Sequence, residues 1–393
     1  MDKSRAISLI EKIVFLYLLI FPFGQLLAFR ASLLGVNIRV QPVDLVVLPV
    51  IPILLLAQIG LPKFFATSKT LLLLGVFGLV FSLSMFEPRQ VLVGTAYLLR
   101  VVSYGAFFAA VYKLVESKQK YREVLVKALI IVSWELAILG LAQYLLLPDL
   151  RFLYAFGWDD HLYRLVSTLL DPGFTGIILA FGALLSFAYY LRRNNKIYLW
   201  GTLFLMLGLL LTYSRASFIA FVLGLAVLFI KTKKKITLGV ITLFILAIPL
   251  LPRPEGYGVR LERTHSIVSR LQNYKETLMV FQKSPLLGVG FNNLCIVKAK
   301  MFENTQVNSH ACSGADSSIL LVLATTGVLG LILLATLLGN LLSSFPKNSF
   351  SFALLACLVA LGIHSQFVNS LIYPWVMGYM AILAGSCLGA TRD

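Results

Sequence analysis

Long apolar runs separated by short, basic turns dominate this chain. Runs of about 17–25 residues have the length of helices that cross roughly 30 Å of hydrocarbon. They fall at 13–29, 43–60, 70–86, 91–113, 123–147, 167–191, 198–213, 216–230, 236–252, 317–340, 349–368 and 371–389. The expected fold class is all-α, a polytopic membrane helix bundle with about 12 transmembrane helices. The chain, 1–393, reads as a single integral membrane domain with one long polar interruption, 253–316, forming a large, partly helical outer loop. Within that loop Leu271, Tyr274, Leu278 and Phe281 recur at steps of three and four. This spacing predicts a short amphipathic helix over 269–283 that ends before Ser284-Pro285.

Composition sharpens this picture. The chain is 59% hydrophobic and carries a formal net charge of +17. Such a charge can mark nucleic-acid binding, but here the lysines sit in short turns between apolar runs, so nucleic acid is excluded as a partner. Turns such as those holding Lys113, Lys118, Lys120 and Arg122, or Lys231 and Lys233 to Lys235, alternate with turns holding scattered arginines. By the charge rule both termini face the cytoplasm of a multi-pass protein in the cytoplasmic membrane, and the 253–316 loop faces the other side. No small-residue cleavage site follows the first run, which reads as a retained span. Cys357 and Cys387 lie in apolar runs and read as small core residues. Cys295 and Cys312 lie in the loop and could form a disulfide if it is extracytoplasmic, although nothing in their spacing requires one.

Charges inside apolar runs are expensive and usually pair, so Arg100 and Glu135 are expected to pair. The cationic loop is harder to explain by orientation alone. Arg260, Arg263 and Arg270 lie within it, and Arg215 follows Ser214 at an outer helix junction. Each is either an arginine snorkelling to headgroups or a guanidinium that grips a phosphate through two donors. Asp171-Pro172-Gly173 carries helix-start chemistry, with His161 and Arg164 just before it within reach of the same outer cavity. His310 and Asp316 are the candidate bases, and Asp316 also suits the N-cap of the next span. Gly288 and Gly290 allow a tight turn or close backbone approach to a ligand. The segment GVGFNN lacks the third glycine and the strand context of a dinucleotide site.

At these residues the sequence resembles the O-antigen ligase and O-antigen polymerase family of envelope polysaccharide assembly. The features are Ser214-Arg215, Arg270 with Tyr274 and the segment Ser284 to Gly290, Gly327-Val328-Leu329-Gly330, and Asp171-Pro172. The sequence departs from the family where a His-Asn pair usually precedes the first glycine of Gly-x-x-Gly by eleven residues. Asp316 stands there, so either Asp316 replaces that histidine or His310 takes its place. The resemblance implies a metal-independent glycosyltransferase, without cofactor, acting on a polyprenyl pyrophosphate-linked glycan from the surrounding membrane lipid. Its acceptor would be a hydroxyl of a glycan, lipid or protein. His310, Asp316, Arg215 and Arg270 would be catalytic, and Arg263, Arg260, Tyr274, Gly288, Gly290 and Asp171 would bind substrate.

A second class stays open: a transporter or flippase for a lipid-linked sugar or other anion. Such a protein carries matched polar breaks at the midplane of two halves. Arg100 and Glu135 have no counterpart in the second half.

Overall fold

The structure, a computed structural model, describes residues 1–33, 36–62, 65, 67–85, 88–254, 256–291, 293–302, 314–345 and 349–390. The first half of the chain runs α1 (Lys3–Ile20), a hairpin of β1 (Phe29–Leu33) and β2 (Val36–Val40), α2 (Pro42–Val47), α3 (Val50–Leu56), α4 (Ser68–Met85), α5 (Pro88–Ser117) and α6 (Lys120–Leu146). The second half runs α7 (Pro172–Arg193), α8 (Lys196–Leu211), α9 (Arg215–Thr232), α10 (Ile236–Ala247), α11 (His265–Lys283), α12 (Leu294–Met301), α13 (Ser318–Ser343), α14 (Ser349–His364) and α15 (Pro374–Leu388). Every apolar run of the sequence falls on helix. Among the described residues six helical segments are long and apolar enough to cross a membrane, and shorter apolar helices occupy the remaining predicted positions. The 43–60 run divides into α2 and α3 at Pro49, which has no N–H to continue the first helix.

The bundle is built around α7. It starts where Asp171 accepts a hydrogen bond from the Phe174 N–H at 2.8 Å and Pro172 fills the first turn. It ends where Asn194 turns left-handed behind Arg192 and Arg193, cations that suit a helix C-terminus. Its sequence is apolar on all sides, and 83% of its spanning window is buried, as expected of a helix surrounded by others. Helices α6, α8, α9 and α14 pack around it, and α15 closes the far side against α5 and α6.

Two sequence expectations are corrected here. Arg100 pairs with Asp44 at 2.6 and 2.9 Å, not with Glu135, whose side chain faces outward from α6. The short α2 brings that carboxylate against α5, a juxtaposition that no local pattern signals. Helix α11 begins four residues before the predicted 269–283 segment, and its buried residues are Thr277 and Val280. The predicted face is divided: Phe281 packs against the cluster of Val280, Val289 and Leu294 and Tyr274 donates to Asp316 O, while Leu271 at 59% and Leu278 at 41% exposure face away from the protein. In a lipid environment such a face needs no protein partner.

Candidate active site

The site forms where the end of α8, the start of α9 and the 253–316 segment meet. Thr212 closes α8 and Tyr213 adopts a left-handed φ of 52°, which turns the chain sharply into Ser214. The Ser214 hydroxyl caps α9 by accepting from the Ser217 N–H at 3.4 Å. The carbonyls left over at the end of α8 receive two arginines. Arg164 Nε donates to Thr212 O at 3.0 Å, and Arg263 donates to Tyr213 O at 3.3 Å. A helix C-terminus is a natural seat for a cation. Arg263 also donates to Gly258 O at 2.7 Å and Arg260 O at 2.9 Å.

Arg215 is fixed in the same manner, donating to Leu261 O at 3.0 Å, Arg263 O at 3.2 Å and the Ser266 hydroxyl at 2.8 Å. Arg270, on α11, makes no hydrogen bond or ion pair among the described residues. All four guanidinium-bearing residues line one cavity of about 440 Å³. Carbonyls orient three of them without cancelling their charge. Burial and the neighbouring guanidiniums push Arg164 down to about 9 and Arg263 to about 10, which leaves both charged at neutral pH. Mutual repulsion of this kind is relieved by a bound anion.

Three carboxylates share the cavity: Asp159, Asp171 and Asp316. Asp171 is committed to capping α7, and burial raises its carboxyl above the usual range against the opposing pull of the Phe174 N–H and Arg164. Asp316 is different. The N-cap of α13 is Ser317, whose hydroxyl accepts from Leu320 N at 3.3 Å, so Asp316 is released from the capping role expected of it. Its backbone is pinned by Asn273 Oδ1, which accepts from Asp316 N at 3.1 Å, and by Tyr274, whose hydroxyl donates to Asp316 O at 3.2 Å. Burial raises the Asp316 carboxyl, opposed by Arg270 and Lys298. A partly buried carboxylate beside an anion site is suited to taking a proton.

The other expected residues divide sharply. Tyr274 lines a second, apolar pocket of about 290 Å³ that adjoins the first, with Arg215, Ala216, Arg270 and Phe367 lining both. Arg260 is exposed and lines neither. Gly288 and Gly290, expected to bind substrate, line neither of these two cavities. Their backbone is spent on α13, which is broken at Gly327 with φ 67°. Val289 N donates to Ala324 O at 2.9 Å, Gly290 N to Thr325 O at 3.0 Å, and Val328 N to Pro285 O at 2.9 Å. A Cβ at Gly288 would lie 2.3 Å from the Thr325 carbonyl carbon, and one at Gly327 would lie 2.2 Å from Leu286 O. The Pro-Leu-Gly-x-Gly and Gly-x-x-Gly segments are thus two halves of one backbone contact. His310 lies outside the described residues. Cys295 is disulfide-bonded, and Cys312, the loop's other cysteine, lies outside the described residues as well.

Sequence reasoning missed the support beneath the arginines. His364, fully buried at the end of α14, lies 3.1 Å from the Ser217 hydroxyl through Nε2 and 2.6 Å from the Ser370 hydroxyl through Nδ1. Ser217 in turn meets Ser214 at 2.8 Å, so this chain of contacts fixes the cap of α9 and with it Arg215. A histidine inside an apolar run was the available signal, since a polar side chain there must find partners.

Comparison with known proteins bears on the same stretch. No curated protein matches the chain. The family model described as O-Antigen ligase matches residues 200–335, which hold Arg215, Arg263, Arg270, Tyr274, Asp316 and both halves of the glycine contact. Arg164 and Asp171 lie before the matched stretch. Its apolar helices mark the chain as a multi-pass membrane protein, and over 200–335 it is similar to the O-antigen ligase and polymerase family.

Proposed function

We propose that the chain transfers a glycan from a polyprenyl pyrophosphate carrier to an acceptor hydroxyl at the extracytoplasmic face of the cytoplasmic membrane. One observation carries this most: Arg164, Arg215, Arg263 and Arg270 line a single cavity, three held by carbonyls and one with its donors unused among the described residues. Such a cavity suits a diphosphate, whose oxygens take paired guanidinium donors.

The chemistry then follows from charge. The acceptor oxygen attacks the anomeric carbon of the donor sugar, and the bond from that carbon to the diphosphate oxygen breaks. The electron pair leaves with the diphosphate, where preorganised guanidiniums stabilise the charge as it grows. The acceptor proton passes to Asp316, which lines the same cavity. The adjoining apolar pocket, walled by Ile219, Ile267, Leu271 and Tyr274, is suited to the first isoprene units of the carrier. The exposed leucines of α11 continue that surface toward lipid.

Glycan transfer from a polyprenyl pyrophosphate-linked donor, measured with the full-length protein in vesicles, tests this. Arg270→Ala and Arg215→Ala should each lower the rate by on the order of 10²–10³-fold, and inorganic pyrophosphate should compete with the donor. Undiminished transfer in both folded variants would remove the assignment. Comparing Asp316→Asn with His310→Ala separates the two candidate bases, the larger loss of kcat marking the one that takes the proton.

A further inference from the structure

Beyond Asp171 a third chamber of about 360 Å³ adjoins the arginine cavity, with Asp159, Asp171, Phe174 and Asn369 lining both. The three spaces therefore follow one another: an apolar pocket, a cationic cavity, then this chamber. Its walls differ from both others. Gln25, Gln41, Tyr97, Trp158 and Tyr373 line it together with Arg39 and Arg100.

The two glutamines are the unusual feature. Each is only 7% exposed, and the Oε1 of each has no hydrogen-bond partner among the described residues. Buried carbonyl oxygens are nearly always satisfied, so a pair of orphans on one cavity wall needs an explanation. Gln25 is not loosely placed. Its Nε2 donates to the Tyr373 hydroxyl at 3.0 Å, and Tyr373 stacks on Phe174 with ring centroids 3.6 Å apart and planes 4° from parallel. This leaves the Gln25 Oε1 as a fixed, unused acceptor.

The cations of the chamber are already engaged, and its carboxylates are Asp159 and the α7 cap Asp171. Arg100 is paired with Asp44, and the Arg39 guanidinium lies over Trp158 at 4.1 Å. Unused amide acceptors and aromatic surface, with the cations already engaged, fit a ligand that donates hydrogen bonds from hydroxyls and presents apolar C–H faces. A pyranose ring has that chemistry.

We propose that this chamber is the subsite for the sugar that carries the diphosphate, with its hydroxyls donating to Gln25 Oε1 and Gln41 Oε1 and its ring against Trp158 and Tyr97. The inference rests on the assignment of the arginine cavity to the diphosphate. Isoprenoid, diphosphate and first sugar then occupy the three adjoining spaces in their covalent order. The donor is thus selected by its first sugar as well as by its lipid.

Binding separates the two layers. Full-length protein in nanodiscs is titrated with bare polyprenyl pyrophosphate and with the same carrier bearing one glucose, galactose, N-acetylglucosamine or N-acetylgalactosamine. At least one sugar-bearing carrier should bind about tenfold or more tightly than the bare one, because a site built to hydrogen-bond a hydroxyl discriminates strongly. Gln25→Leu and Gln41→Leu should erase that gain while bare-carrier affinity stays within about twofold. Gln41→Leu, which replaces an orphaned acceptor, should also unfold at a temperature no lower than the parent. Trp158→Phe is the second variant, reducing the gain without touching the amides. Equal affinity for bare and sugar-bearing carriers, or a gain that survives both glutamine changes, overturns the subsite. If bare carrier does not bind, or binds Arg215→Ala as well as it binds the parent, the diphosphate assignment fails and the subsite falls with it.

Discussion

Two parts of the 200–335 stretch carry family-like sequence, and they do opposite things. The glycine segments, 285–290 and 327–330, supply space: their residues let a loop backbone hydrogen-bond into the break of α13. The arginine rim supplies charge: Arg215, Arg263 and Arg270 join Arg164 around a cavity, each oriented by carbonyls or by nothing among the described residues. A short motif therefore does not announce whether it is chemistry or architecture. Residue type does: glycine answers to backbone geometry, and guanidinium answers to an anion.

Substitutions can break this division. The largest effect belongs to Arg270→Ala, with transfer falling on the order of 10²–10³-fold while the unfolding temperature holds, because no hydrogen bond among the described residues is lost. Arg215→Ala should match it in rate but also unfold earlier, since Arg215 ties α9 to Leu261, Arg263 and Ser266. Thermal melts alongside a transfer assay read both. Should Arg270→Ala melt early with its activity intact, the rim would be architecture after all.

Asp316→Asn should lower kcat by roughly 10²-fold. Burial lifts the Asp316 carboxyl above its ordinary value, so in the parent protein activity should fall as pH drops through a point above the usual carboxylate range. The base form is present above that point and lost below it, and the variant should lack that acid limb in kcat/KM against pH.

Gly327→Ala is the mirror experiment. Its φ of 67° and the nearby Leu286 carbonyl predict a loss of about 2–3 kcal/mol in stability. Transfer per folded molecule should persist, which activity normalised to folded protein would check. The smallest effect is expected of Arg260→Ala, an exposed residue outside the cavity. Stability should stay within about 0.5 kcal/mol. Transfer there should match the parent, and a loss like that of Arg270→Ala would extend the rim beyond the cavity wall.

Much of this was legible in the chain, and the failures have particular causes. Arg215, Arg263, Arg270, Asp171 and Asp316 were all flagged by residue type near one outer junction, and all line the cavity. Arg260 was flagged on the same grounds and is exposed, because position along a loop does not say which way a side chain turns. Leu271 and Leu278 keep helical spacing, but periodicity identifies a face without saying whether protein or lipid covers it.

The sequence by itself determined where the apolar helices lie and where the polar interruption falls. Helix length, hydrophobicity and turn residues act over neighbouring positions, and the chain records them directly. Only the tertiary structure decided that Arg100 meets Asp44, that Ser317 rather than Asp316 caps α13, and that Gln25 and Gln41 share a wall with Trp158. Those outcomes join residues far apart in the chain, and they depend on how whole helices pack. A buried charge or amide takes whichever partner packing brings within reach, and no local pattern encodes that choice.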